Sequence, residues 1–272
     1  MPRWRNRNYT KIDRTEINSV LFYPHRNMMD RQGDTFVKEI SISLNAGEVI
    51  SGIRAEAENS KGSILFFHGN GELASDYIDI ASIFRQMNVS FICVDYRGYG
   101  NSSGYPGAGS MIDDAHDIFK YIRNLIPREK EVFIVMGRSL GCVSALEIAA
   151  SYENEIDGLI IESGFAQTLP LLATLGVNAG YLGIKEEDGF DNGSKIESFS
   201  KPLLIIHATE DFLIPINQAQ ILFDIATSPY KTLLKVPNAG HNDIFFQSKK
   251  DYLAAINKLI KIIATEIISA AV

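Results

Sequence analysis

A serine set between glycines, an aspartate further along and a histidine in a late loop are, in that order, the parts needed for nucleophilic acyl transfer. Ser139 stands in Gly137-Arg138-Ser139-Leu140-Gly141, after the apolar run 132–136 and before an Ala/Leu/Ile-rich segment at helical spacing. That is strand, sharp turn, helix, with G-x-S-x-G at the turn, where strained backbone thrusts a hydroxyl out of the sheet. Gly137 and Gly141 leave room for neighbouring backbone to pass close by. A serine there could instead simply cap the next helix; the flanking strand and helix favour the nucleophile.

A serine hydroxyl attacks poorly until a base takes its proton, and five histidines are available. His25 lies in the N-terminal region. His116 sits in a helical segment beside Asp113, Asp114 and Asp117, as on a solvated face. His68 and His207 end strands, where each can be a satisfied structural imidazole. His241 lies in the loop Pro237-Asn238-Ala239-Gly240-His241-Asn242-Asp243, after the last apolar run. In a parallel sheet such loops gather beyond the carboxyl ends of the strands, so His241 can reach Ser139 and is assigned as the base. The acid that orients the base should follow an earlier strand, giving the order Ser, acid, His. Asp211 is at the tip of the loop 208–215, after the apolar run 203–207, and is preferred to its neighbour Glu210; Glu162, ending the preceding strand, is the weaker rival. Its work is to hold the imidazole in one tautomer and stabilise the imidazolium.

The developing oxyanion needs fixed donors. The backbone N–H of Leu140, next to the nucleophile, is one. The N–H of Asn70, in the turn His68-Gly69-Asn70-Gly71-Glu72 after the first parallel strand, is the other. The same turn, as Gly69-Asn70-Gly71-Glu72-Leu73-Ala74, also fits the dinucleotide fingerprint G-x-G-x-x-G/A, with Asp95 placed to meet a ribose hydroxyl. A dinucleotide-binding oxidoreductase is therefore an alternative, but it leaves residues 137–141, Asp211 and His241 without a role. The glycine-rich loop 95–104 lacks the Gly-Lys-Ser/Thr end of a phosphate-binding loop. Within it, Asp95 and Arg97 could pair to shape the loop, and Tyr96 and Tyr99 could be walls of the site or simple packing. No metal-ligand spacing occurs, and no cofactor is called for.

The elements that must position these residues follow from the apolar pattern. Residues 16–57 read as strands, with 36–44 and 49–55 forming an antiparallel hairpin around the turn Asn45-Ala46-Gly47-Glu48. From residue 62 the pattern changes. Short, predominantly apolar runs at 63–67, 89–94, 132–136, 158–161, 203–207 and 233–236 alternate with helical segments at 75–87, 110–126, 140–152, 217–226 and 248–268. Strands without polar alternation are buried on both faces, as in a parallel sheet covered by helices. The fold class is α/β, doubly wound, in one domain over 1–272. Residues 163–201 are longer than a crossover needs and are read as a small cap insertion. Its apolar stretch carries Leu169 and Leu172, which are assigned, with Tyr99, to substrate binding.

Bulk properties narrow the classes. With 26 Lys and Arg against 33 Asp and Glu the net charge is −7, which argues against a nucleic-acid partner. The basic stretch Met1-Pro2-Arg3-Trp4-Arg5-Asn6-Arg7 lacks the apolar core of a signal peptide. No run of about 18 apolar residues spans a membrane. Leu253, Ile256, Leu259, Ile260, Ile263 and Ile267 share one helical stripe, which suits a last helix docked on a core. Cys93 and Cys142 form no disulfide or metal pattern, so a cytoplasmic setting is expected.

With these residues placed, the chain resembles the α/β-hydrolase superfamily of serine hydrolases. The resemblance covers nearly all of residues 36–268. It is carried by HGNGE at 68–72, DYRGYGNSSG at 95–104, GRSLG at 137–141, HATEDFLIP at 207–215 and AGHND at 239–243. The loop at 95–104 together with Gly240-His241-Asn242-Asp243 resembles in particular the bud-emergence and protein-depalmitoylase-like branch. The resemblance implies an α/β-hydrolase fold with Ser139, Asp211 and His241 in the triad positions. It implies cleavage of an ester or thioester in a small-molecule or acylated substrate. Residues 1–35 have no counterpart in the pattern. Because members of the superfamily sometimes lose chemistry, a non-catalytic binding protein is the other alternative.

Overall fold

The computed structural model describes residues 8–26, 36–126 and 132–270, with side chains to residue 266. Eight strands form one sheet: β1 Val37–Ser43, β2 Val49–Ala55, β3 Gly62–Phe67, β4 Val89–Val94, β5 Val132–Arg138, β6 Gly158–Glu162, β7 Leu203–Ala208 and β8 Lys231–Val236. Their order is β1-β2-β4-β3-β5-β6-β7-β8. The β1–β2 hairpin and the β2–β4 pair are antiparallel, and every later pair is parallel. The antiparallel front and buried parallel strands are those expected from the apolar runs.

Side chains of successive residues leave a strand on opposite faces, so each central strand feeds two cores. Leu65 and Phe67 of β3, with Ile92 and Val94 of β4, pack on one side. Ile64 and Phe66, with Phe91 and Cys93, pack on the other. The first core is covered by α1 Thr15–Leu21, α3 Ala108–Leu125, α4 Cys142–Ser151, α5 Thr168–Thr174, α6 Asn192–Glu197 and α7 Ile216–Ile225. The second is covered by α2 Ile78–Gln86 and α8 Ile244–Ala270, which bends at Ser248. The stripe read for the last helix is confirmed in Ile256, Leu259, Ile260 and Ile263, all buried against the sheet. The Ile267 side chain and residues 1–7 lie outside the described residues. Among the described residues no helix is long and apolar enough to cross a membrane.

Two expectations need correction. Residues 15–21 are helical, not extended: Ile17 and Leu21, one turn apart, bury one face of α1 on the core. Within 163–201, α6 packs against α4 and α7 as a crossover helix does, so the extra structure lies between Ser163 and α6.

Candidate active site

The site is built at the carboxyl ends of β3, β5 and β7 and in the loop after β8. β5 ends at Arg138, and the chain turns through a short 3₁₀ turn, Ser139–Gly141, into α4. Ser139 has φ +52°, the left-handed conformation a non-glycine residue seldom takes. The crossing is possible because Gly137 lies against the Gly141 carbonyl, and Gly141 lies against the carbonyls of Phe67 and His68. A side chain at either position would collide with main chain. The same approach draws the turn after β3 against the serine turn.

His241 Nε2 is 2.9 Å from Ser139 Oγ. His241 Nδ1 is 2.7 Å from Asp211 Oδ2. The three residues chosen from sequence are therefore brought together in one line, although the first and last are 102 positions apart. Asp211 is fixed through its other oxygen, which accepts from the N–H groups of Leu213 at 3.0 Å and Ile214 at 2.8 Å. Burial alone would raise the Asp211 pKa, but the hydrogen bond and charge of His241, with the Ile214 N–H, outweigh it and hold the carboxyl below its ordinary value. Glu210, the rival, is exposed, and its backbone N–H bonds the Ala239 carbonyl. His207 is buried beneath Asp211; its Nε2 is 2.7 Å from the Ile214 carbonyl, and burial lowers its pKa. It is a neutral structural imidazole that supports the acid loop, as read from sequence.

Leu140 opens the turn into α4 and is buried, while Asn70 lies half-buried in the neighbouring turn. The Asn70 side chain is committed: Oδ1 accepts from the Tyr99 hydroxyl at 2.7 Å and the Tyr23 N–H at 2.6 Å. Tyr99 thus cannot serve as a substrate contact. It is fully buried, and its hydroxyl also accepts from the Tyr23 N–H at 2.7 Å. Leu172 is likewise fully buried, because α5 turns Leu171 and Leu172 together into the core. Leu169, on the same helix, keeps part of its surface.

Asp95, the acid of the dinucleotide reading, has both oxygens engaged. Oδ1 accepts from the Ala74 N–H and Oδ2 from the Ser51 hydroxyl, each at 2.8 Å. Glu72, inside the glycine turn, accepts from the Gly69 N–H at 2.6 Å and the Tyr77 hydroxyl at 2.7 Å, and pairs with Arg138. The carboxylates of that fingerprint serve the turn itself. The expected Asp95–Arg97 pair is not formed. Arg97 instead makes a forked pair with Asp114 at 2.6 and 2.7 Å and binds Glu48 at 2.7 Å. This planar two-point contact ties the 95–104 loop to α3. His116 is half-buried, with Nε2 3.3 Å from the buried Glu147 and Nδ1 3.0 Å from the Tyr152 hydroxyl.

One contributor escaped the sequence reading. Arg138, the variable residue of the serine motif, is buried behind Ser139, where it touches Glu72, Glu162, the His241 carbonyl and Asn242. A charged residue ending an otherwise apolar strand was the available signal. Beside it a cleft of about 370 Å³ runs between α2 and α8, with Asn70, Glu72, Arg138, Asn242 and Phe246 in its lining.

Sheet order, serine turn and late histidine loop together describe an α/β hydrolase. Residues 58–178 match the family described as serine aminopeptidase, S33. Over 193 residues the chain is 34% identical to alpha/beta hydrolase domain-containing protein 17B of Homo sapiens, covering 68% of this chain and 62% of that protein. The match thus spans less than two thirds of that relative's length. Protein bem46 of Schizosaccharomyces pombe is 26% identical over 210 residues, 74% of this chain and 70% of that one. Among solved structures, the Pyrococcus furiosus esterase Pf2001 superposes with a TM-score of 0.72 at 18% identity, over 89% of this chain and 97% of its own. The chain has the α/β-hydrolase fold and is similar in sequence to a branch of hydrolases that includes bem46 and these domain-containing proteins.

Proposed function

We propose that this protein is a serine hydrolase that cleaves a carboxylic ester or thioester through an acyl-serine intermediate. The observation that carries the reading is the hydrogen-bonded line Ser139–His241–Asp211, with its serine on a left-handed turn. In this reading Ser139 Oγ attacks the substrate carbonyl while His241 Nε2 takes its proton. Asp211 holds Nδ1–H, so Nε2 is free to act as the base, and its charge stabilises the imidazolium. The carbonyl oxygen gathers negative charge and is held by the N–H groups of Leu140 and Asn70. Losing one such donor typically costs about 10²–10³ in rate. Collapse of the tetrahedral intermediate expels the alkoxide or thiolate, which leaves with the proton from His241. Water, deprotonated by His241, then attacks the acyl carbon and releases the acid and Ser139.

The residues between Ser163 and α6, including half-buried Leu169, act as a small cap beside the serine. The ester or thioester assignment is supported by kinship with this branch and by an esterase with the same fold. A p-nitrophenyl ester series and an acyl-thioester series, run on wild type and Ser139→Ala, test it. Turnover with a burst of leaving group in wild type, and loss of both in the variant, is expected. Turnover that survives Ser139→Ala would remove the serine from the chemistry.

A further inference from the structure

Each loop of a triad enzyme can be well formed and still be useless if it sits an ångström from its partners. A misplacement of that size costs as much as about 10²-fold in rate. Here the loops carrying the oxyanion turn and the base come from opposite ends of the sequence, and neither is a neighbour of the other in the sheet. What stands between them is the Arg138 guanidinium.

Arg138 is the last residue of β5 and pairs in register with Glu162, the last of β6. Its backbone runs directly into Ser139. Its Nη1 donates to Glu72, whose second oxygen accepts from the Gly69 N–H at 2.6 Å, in the turn that presents the Asn70 N–H. Its Nη2 donates to the carbonyl of His241 at 2.8 Å and to Asn242 Oδ1 at 2.9 Å. Its Nε lies 3.3 Å from Glu162, which accepts from the Tyr252 hydroxyl of α8 at 2.6 Å. Burial raises the Tyr252 pKa, and the Glu162 charge adds to it, so this phenol stays a donor. One planar group thus makes fixed-angle contacts with the turn before the nucleophile, the base loop after it and the end of the next strand. A lysine has the charge but not the fork, and it cannot hold these directions at once.

Resting on the acyl-enzyme reading above, we infer that Arg138 is a positioning residue that sets the oxyanion turn and the His241 loop in register with Ser139, with Glu72 as its relay to the turn. Among the hydrogen bonds and ion pairs of the guanidinium none goes to Ser139 Oγ, the His241 ring or Asp211. It acts through the backbone it fixes, so its loss should lower the chemical step and spare substrate affinity.

The experiment compares wild type, Arg138→Lys, Glu72→Gln, the double variant and Asn242→Ala. Readouts are the rate of fluorophosphonate labelling, kcat and KM on a p-nitrophenyl ester, and the thermal midpoint. Labelling and kcat are expected to fall about 10–100-fold in Arg138→Lys and in Glu72→Gln, with KM within about threefold of wild type. The double variant should be no worse than the poorer single one, because both break one unit. Asn242 is exposed, so Asn242→Ala keeps the fold should the buried variants lose it; its kcat should fall by roughly three- to tenfold. Folded variants with kcat and labelling within threefold of wild type, or independent losses in the double variant, would overturn the inference alone. A folded wild type that takes no label would overturn the acyl-enzyme reading and this inference with it.

Discussion

Two ionic clusters, buried on opposite faces of the sheet, do different work. On the α2/α8 side, Arg138 is shared by Glu72 and Glu162. On the other side Lys195, fully buried, lies 2.8 Å from Glu147 of α4, which also meets His116 at 3.3 Å and the Ser151 hydroxyl at 3.0 Å. The Lys195 ammonium stands over the Tyr9 ring as well, 5.8 Å from its centre. Both clusters take charges out of water, and both satisfy them with partners. Their outward contacts differ. Arg138 donates to the backbone of the base loop and to the carboxylate that holds the oxyanion turn. Lys195 and Glu147 join α6 to α4 and to the N-terminal segment, and neither bonds Ser139, Asp211 or His241. The first cluster fixes loops that must be placed to within an ångström; the second fixes helices whose packing the fold already requires. Buried charge by itself therefore says little about function, and the groups it fastens say more.

The comparison is broken most directly by Lys195→Met. Leaving Glu147 buried without its cation should cost about 3–5 kcal/mol. At roughly 2–4 °C per kcal/mol the thermal midpoint should fall by about 10 °C. The kcat of the folded fraction should stay within about twofold, in contrast to Arg138→Lys. A Lys195→Met protein that kept its midpoint and lost activity would reverse the two roles.

A smaller effect sharpens it. Burial would raise the Glu147 pKa, but the bond from His116 and the charge of Lys195 prevail and lower it from 4.5 to about 2. A carboxylate whose folded pKa is depressed stabilises the protein above its unfolded pKa, and that stability is lost as pH falls toward the folded value. Glu147 should therefore contribute fully above about pH 5 and lose roughly 2 kcal/mol by pH 3. Urea unfolding at several pH values, on wild type and Glu147→Gln, measures this. The variant should show a shallower loss over that window, and parallel curves would contradict the assignment.

Much of this was legible beforehand, and the reasons are physical. Strands β3 to β7 are buried on both faces, so they stand out as mostly apolar runs, whereas the edge strand β8 is only half-buried. The three line residues sit where a parallel sheet must gather its loops, so chain order and turn glycines sufficed to choose them. Three misreadings have equally definite causes. Helix α1 is seven residues long and buries only Ile17 and Leu21, too little periodicity to separate it from a strand. The apolar stretch carrying Leu169 and Leu172 does not say which face the helix turns inward, and Leu172 lies in the core. A glycine-rich loop carries Tyr99, and its sequence does not separate a wall of the site from packing. The Tyr99 hydroxyl meets Asn70 and the Tyr23 N–H, partners 29 and 76 positions away. Arg138 was hidden for the same reason: its value lies in reaching Glu72 and Asn242, 66 and 104 positions off, at the same time.

The central claim is that Ser139 is an activated nucleophile made so by His241 and Asp211. Its most direct measurement is mass-spectrometric mapping of the fluorophosphonate adduct on folded wild type, Ser139→Ala and His241→Ala. The account predicts a single adduct on the Ser139 peptide of wild type, none in Ser139→Ala, and labelling slowed by several orders of magnitude in His241→Ala. An adduct elsewhere, or equal labelling of Ser139 with and without His241, would contradict it.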